Sequence, residues 1–178
     1  MLTFQSFTTV YDVAEDRIRL TGVSATGEVL SLWFTQRLLN SLIPRLCAAL
    51  EASVAAQPGA AAKPDHKPAP ANRLEQEFVQ RRAQMIMRPA APVSPPPELD
   101  AVLVAVMQLN IGPRAIAVRF RDAQDAPLAE VVLRVTQVRQ WLAILHRLYV
   151  RAKWPPDPWP AWFASAQIEK APPAARLH

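Results

Sequence analysis

Residues 17–50 read RIRLTGVSATGEVLSLWFTQRLLNSLIPRLCAAL, and this stretch decides the fold. Residues 17–23 alternate polar and apolar side chains, which predicts a strand with one buried face. The turn at 25–28 contains Gly27, which can adopt positive φ without strain, and residues 29–34 follow as a second, more apolar strand. Leucines then recur at helical spacing, so the stretch predicts a β-hairpin followed by an amphipathic helix.

The same order of elements recurs in the second half of the chain. Residues 101–111 have the composition of a strand, and residues 115–121 alternate apolar and polar side chains. Residues 128–135 form a further strand pattern, and the segment after it carries Trp141 among apolar residues at helical spacing. Because residues 4–11 supply a first strand to the N-terminal copy, the sequence predicts two β-β-β-α units.

Matching residues stand at the two junctions between strand and helix. Thr35 and Thr136 each precede a glutamine at the start of the predicted helix, and threonine is a favoured N-cap. Pro44 lies inside the first helical pattern, where a missing N–H and a clash with the preceding turn predict either a kink or a break near Leu42.

The fold class that follows is α+β, with internally duplicated β-β-β-α units in which helices pack on antiparallel sheets. Three strands and one helix cannot bury an apolar face alone, so the units should pack together or exchange with a second chain. The predicted boundaries are a first unit at 1–52, a flexible Ala/Pro-rich linker at 53–100 with one extra helix at about 72–87, a second unit at 101–153 packing on the first as one domain, and a Trp/Pro-rich C-terminal tail at 154–178.

The linker and the tail carry the predicted binding residues. Residues 53–71 are rich in alanine and proline and favour an extended, mobile chain, whereas Asn72 and Glu75 resemble a capping box that starts a helix. That helix is either docked or free, and the tail, with three of the five tryptophans, either covers its own domain or binds a partner. The predicted partner-binding side chains are Leu74, Phe78, Met85 and Ile86 of the helix, and Trp159, Trp162 and Phe163 of the tail.

Composition is that of a soluble globular protein, with 51% hydrophobic and 20% charged residues and a formal net charge of +5. No segment approaches the run of ~20 apolar residues that spans a membrane, and the N-terminus lacks the pattern of a secretory signal. The single Cys47 excludes an internal disulfide and fits a reducing compartment. These features predict a cytoplasmic protein, and the abundance of alanine, proline and arginine is typical of a GC-rich bacterial genome.

Residues that carry chemistry are sparse. Of the three histidines, His66 lies in the predicted linker and His178 ends the chain, so only His146 could belong to a formed site. Paired Cys or His ligands for a metal are absent, and four scattered glycines form no phosphate-binding loop. The sequence therefore predicts no enzyme, no catalytic or metal site, no cofactor and no small-molecule substrate.

The leading functional hypothesis is a non-catalytic cytoplasmic protein-binding, scaffold or assembly-accessory protein that engages a protein partner or a second copy of itself. The alternative hypothesis is a nucleic-acid-binding accessory protein, since basic residues on the last predicted helix could contact phosphates. The candidate residues for that alternative are Arg139, Arg147, Arg151 and Lys153.

Overall fold

A computed structural model describes residues 1–55, 70–88 and 91–167, and over these ranges seven strands and four helices form the predicted α+β fold. Most of the Ala/Pro-rich segment predicted at 53–71 and the end of the tail at 168–178 lie outside the described residues. In chain order the elements are β1 (Leu2–Asp12), β2 (Arg17–Ser24), β3 (Val29–Phe34), α1 (Gln36–Ala55), α2 (Pro70–Met85), β4 (Ala101–Leu103), β5 (Val106–Ile111), β6 (Ala115–Arg121), β7 (Pro127–Arg134), α3 (Val135–Ala152) and α4 (Ala161–Ser165).

All seven strands belong to one mixed sheet with the order β4-β3-β2-β1-β7-β6-β5. The hairpin neighbours β1–β2, β2–β3, β5–β6 and β6–β7 are antiparallel, as their short turns predict. Two further pairings are parallel: Leu2–Phe4 pairs with 129–131 of β7, and Ala101–Leu103 pairs with 31–33 of β3. The prediction of purely antiparallel sheets is therefore wrong, since the first strand of each half also reaches the last strand of the other half.

The strand predicted at 101–111 is divided in two, and the division brings the edges of the sheet together. The N–H of Val104 donates to the carbonyl of Trp33 at 3.0 Å, and the N–H of Ala105 donates to the carbonyl of Arg121 at 2.9 Å. Two consecutive residues thus bridge β3 and β6, although β4 and β5 stand at opposite ends of the strand order. The sheet therefore curls until its two edges meet.

The apolar face of the curled sheet and the helices enclose one core that draws side chains from both halves of the chain. Phe34 of β3 and Phe120 of β6 contact each other with ring centroids 5.3 Å apart. Trp141 of α3 is fully buried, where its indole N–H donates to Thr9 Oγ1 at 3.2 Å and its ring meets Phe7 edge-on. A tryptophan is accommodated at such depth when its polar atom has a partner, as it does here.

The helices α1 and α3 have different N-terminal caps. Thr35 Oγ1 accepts the N–H of Leu38 at 3.2 Å, so the predicted N-cap of α1 is confirmed. The predicted N-cap at Thr136 is wrong, because α3 begins at Val135 and the side chain of Gln137 accepts the N–H of Arg134 at 2.9 Å. The helix α1 continues through Pro44 without a break, and it extends to Ala55.

Part of the segment predicted as a linker lies against the sheet. Residues 91–100 form no helix or strand. The N–H of Val93 nevertheless donates to Thr8 Oγ1 of β1 at 2.8 Å, and Thr8 is buried. Since a buried hydroxyl is costly to leave without a partner, this bond anchors the proline-rich chain that returns from α2 to β4.

Candidate protein-binding face

The helix α2 packs on α3 and α4 through a row of glutamines. Gln76, Gln80 and Gln84 stand one helical turn apart, and all three are buried. Gln80 Nε2 donates to the carbonyl of Arg139 at 3.0 Å, and Gln84 Nε2 donates to the carbonyl of Ala166 at 3.0 Å. These directional hydrogen bonds therefore fix the rotation of α2 about its own axis. Apolar contacts alone would restrict this rotation less, because they have no preferred direction.

A buried arginine stands at the centre of this contact. Arg139 of α3 is fully buried, and its Nη2 donates to Gln76 Oε1 at 2.6 Å. Its guanidinium lies 5.8 Å from the ring centroid of Trp162, and no ion pair within the described ranges includes it. Burial lowers the pKa of Arg139 to about 10 because the charged form loses its hydration.

The same cluster also reaches α1. The indole N–H of Trp162 donates to Glu51 Oε1 at 2.7 Å, so α4 is tied to the last turns of α1. We name Glu51, Trp162, Arg139 and Gln76 the arginine junction, because these four residues connect α1, α4, α3 and α2. Through this junction the position of α2 depends on every other helix described here.

The opposite side of α2 exposes large apolar residues to solvent, together with charged ones. The exposed fractions are 68% for Leu74, 66% for Phe78, 76% for Met85 and 58% for Ile86, which follows the end of the helix. An amphipathic helix in a globular protein normally buries its apolar side and exposes its polar side. The helix α2 departs from this pattern, because it buries glutamines and presents large apolar side chains among the charged residues of its outer face.

The predicted tail residues lie inside the chain's own core. Trp159, Trp162 and Phe163 are buried, and the rings of Trp159 and Phe163 are 4.8 Å apart. Trp159 also meets Tyr149 of α3 edge-on, with centroids 5.5 Å apart. The described part of the tail therefore covers its own domain, and these three rings offer little exposed surface to a partner in this arrangement.

The predicted nucleic-acid residues are not brought together on one surface. Arg139 is buried in the arginine junction, so its guanidinium cannot reach a phosphate without α2 moving away. Arg147 is half-buried, whereas Arg151 and Lys153 are exposed. The reason is that α2 and α4 cover the side of α3 that the sequence pattern assigned to solvent.

His146 packs against the tail aromatics rather than lying in a catalytic arrangement. Its ring centroid lies 4.9 Å from that of Trp159 and 5.7 Å from that of Phe163. In the described parts of the chain no hydrogen bond or ion pair involves its imidazole. Burial lowers the pKa of His146, with a smaller effect from the positive charge of Arg147.

This lowered pKa makes the stability of the fold sensitive to mild acid. In the unfolded chain His146 binds a proton near pH 6.5, whereas in the folded chain it binds one only at lower pH. The free energy of unfolding therefore falls as the pH drops below about 6.5. We expect the urea midpoint to be lower at about pH 5.5 than at about pH 7.5, and His146→Gln to reduce that difference. A variant with the same pH dependence as the parent chain would exclude His146 as its source.

Three other features, a metal site, Cys47 and a surface cleft, have less support as functional sites. Within residues 1–55, 70–88 and 91–167, no group of three His, Cys, Asp or Glu side chains could hold a metal ion. Burial raises the pKa of the Cys47 thiol to about 12, so this cysteine is a poor nucleophile. An open cleft of about 450 Å³ beside α1 has Arg45 and Arg119 in its lining, but Arg119 already pairs with Glu130 at 2.5 Å.

No known protein family, curated protein or solved structure matches this chain. Among the described helices, none is both long enough and apolar enough to cross a membrane. The candidate functional surface is the outer face of α2, because large apolar side chains are exposed there.

Proposed function

We propose that this chain is a non-catalytic cytoplasmic protein-binding protein, of the scaffold or assembly-accessory type, and that it binds its partner through the outer face of α2. The observation that carries the proposal is the reversed burial of this helix, with glutamines inside and Leu74, Phe78, Met85 and Ile86 outside. Several large apolar side chains exposed on one side of a helix are typical of an interaction site on a soluble protein.

The energetics support binding at this face. Covering a large apolar side chain contributes roughly 1.5–3 kcal/mol relative to leaving it exposed. Since α2 is already helical and its rotation is held by the glutamine contacts, a partner need not order it. Apolar residues of one helix that enter a groove or pack on a second helix form a common recognition mode.

We further propose that the rest of the chain is a rigid platform built by duplication of a β-β-β-α unit. In support of this proposal, the leading strand segments Leu2–Phe4 and Ala101–Leu103 make equivalent parallel pairings, each with the last strand of the other half. A platform of this kind would keep α2 at a constant position relative to a partner.

The proposal can be tested by replacing Phe78 with glutamate in the full chain. Phe78→Glu should leave the urea midpoint almost unchanged, because the side chain is 66% exposed, and should remove the specific proteins that copurify with the tagged chain from its host. Val150→Glu is the matched control, since Val150 of α3 is also an exposed apolar residue at 68%. Quantitative mass spectrometry that finds the same copurifying proteins with all three chains would refute the proposal.

A further inference from the structure

The exposed apolar residues of α2 form a narrow seam. At about 100° per residue, Leu74, Phe78 and Met85 point in directions that fall within about 40° of one another. With position 81 included, residues 74, 78, 81 and 85 follow one another at intervals of four, three and four. These intervals are those of alternating d and a positions in a coiled coil. This geometry fits a second helix lying along α2 better than a globular pocket or an extended strand.

The seam and its border carry mainly basic charge. Arg81 occupies a position within the seam, Arg82 stands beside it, Arg88 follows the end of α2, and all three are exposed. Arg81 Nη2 donates to the carbonyl of Ser165 at 2.8 Å, a bond that fixes the side chain and leaves its charge in place. The exposed acid near the seam is Glu75, so the border carries a positive surplus.

A second copy of this chain is a poor match for the seam. An antiparallel pair that sets Leu74 opposite Met85 would bring Glu75 of each helix near the partner's Arg82, but it would also place the two Arg81 side chains roughly 5 Å apart along the axis within the seam. A parallel pair would set Arg81 against Arg81 within the seam itself. Like charges at this separation oppose association, and the net charge of +5 opposes it further.

We propose that the occupant of this face is an amphipathic helix of another protein, with an apolar seam bordered by glutamates or aspartates. This inference rests on the proposed function and adds the chemistry of the partner. Apolar residues of the partner would pack between Leu74, Phe78 and Met85, and its acids would pair with Arg81 and Arg82. Charged residues that border a helical seam select the partner more strongly than they increase the affinity.

The test uses the full chain and two synthetic helical peptides with an identical leucine seam. One peptide has glutamates on both borders and the other has lysines, and binding is measured by fluorescence anisotropy at several salt concentrations. We expect the glutamate peptide to bind about tenfold more tightly, a difference of about 1.4 kcal/mol, and to weaken as salt increases. Arg82→Glu should reduce this preference, whereas Arg151→Glu, at an exposed position on α3, should leave it unchanged.

The outcomes separate this inference from the proposed function. Equal binding of both peptides that depends on Phe78 would overturn the acidic partner and retain the binding face. Binding that is insensitive to Phe78→Glu would overturn both proposals, and failure of both peptides to bind would overturn a helical occupant. Sedimentation that shows a dimer of the parent chain, lost in Phe78→Glu, would assign the face to a second copy instead.

Discussion

Simultaneous replacement of Trp159 and Phe163 by alanine is expected to abolish the cooperative unfolding of this protein. Each such truncation of a buried aromatic costs about 3–5 kcal/mol, because contacts are lost and a cavity remains. The two rings touch each other, so their losses are not strictly additive, but even part of the sum is comparable with the 5–15 kcal/mol that stabilises a typical domain. The variant should be expanded and prone to aggregation.

Near-ultraviolet circular dichroism and urea titration provide the measurement. The parent chain should give an intense aromatic signal and one sharp transition, and the double variant should lose both. Val150→Ala is the control, because this residue is 68% exposed on the neighbouring helix and its truncation should change the midpoint little. A double variant that unfolds as cooperatively as the control would show that the tail is not part of the core.

Replacement of Gln76 by leucine is expected to destabilise the docking of α2 by about 2–3 kcal/mol, although leucine is the more apolar residue. Gln76 Oε1 accepts the 2.6 Å hydrogen bond from Arg139, and a hydrogen bond to a charged group contributes about 1.5–3 kcal/mol. Without this acceptor the buried guanidinium keeps its charge and loses its best partner, which is a destabilising state.

A double-mutant cycle shows whether the charge is responsible. Gln76→Leu combined with Arg139→Met should recover much of the lost stability, because replacement of a buried ionic group by apolar residues of similar volume is often neutral. Hydrogen exchange of the amides in 73–85 measures the docking of α2, and urea titration measures the global stability. Equal protection of α2 in the parent, single and double variants would contradict the importance of the arginine junction.

Local sequence patterns are sufficient to predict most of the individual strands and helices. The alternation at 17–23 and 115–121 indicates strands, and the helix predicted at about 72–87 matches α2 within two residues at each end. Leu74 and Phe78 also stand out in the sequence as apolar residues in a polar helix. Their exposure could not be read from the sequence, because apolar side chains in such a helix usually face the core.

Features that depend on contacts between distant residues were missed. The sequence pattern predicts Arg139 at the surface, where charged residues usually lie, and the signal against this is the row of glutamines at Gln76, Gln80 and Gln84. The parallel pairing of Leu2–Phe4 with β7 joins residues 127 positions apart along the chain, which no local pattern reveals. The short helix α4 was hidden by the prolines around it.

The pairing of Leu2–Phe4 with β7 also determines when folding can finish during synthesis. The first strand emerges from the ribosome early, but its neighbour at 129–131 and the helix that covers it are translated late. Until then the nascent N-terminal half exposes apolar surface and an incomplete sheet edge, both of which invite aggregation. The sheet therefore cannot be completed until β7 has left the ribosome, and we expect the yield in cells to depend on chaperones that bind nascent chains.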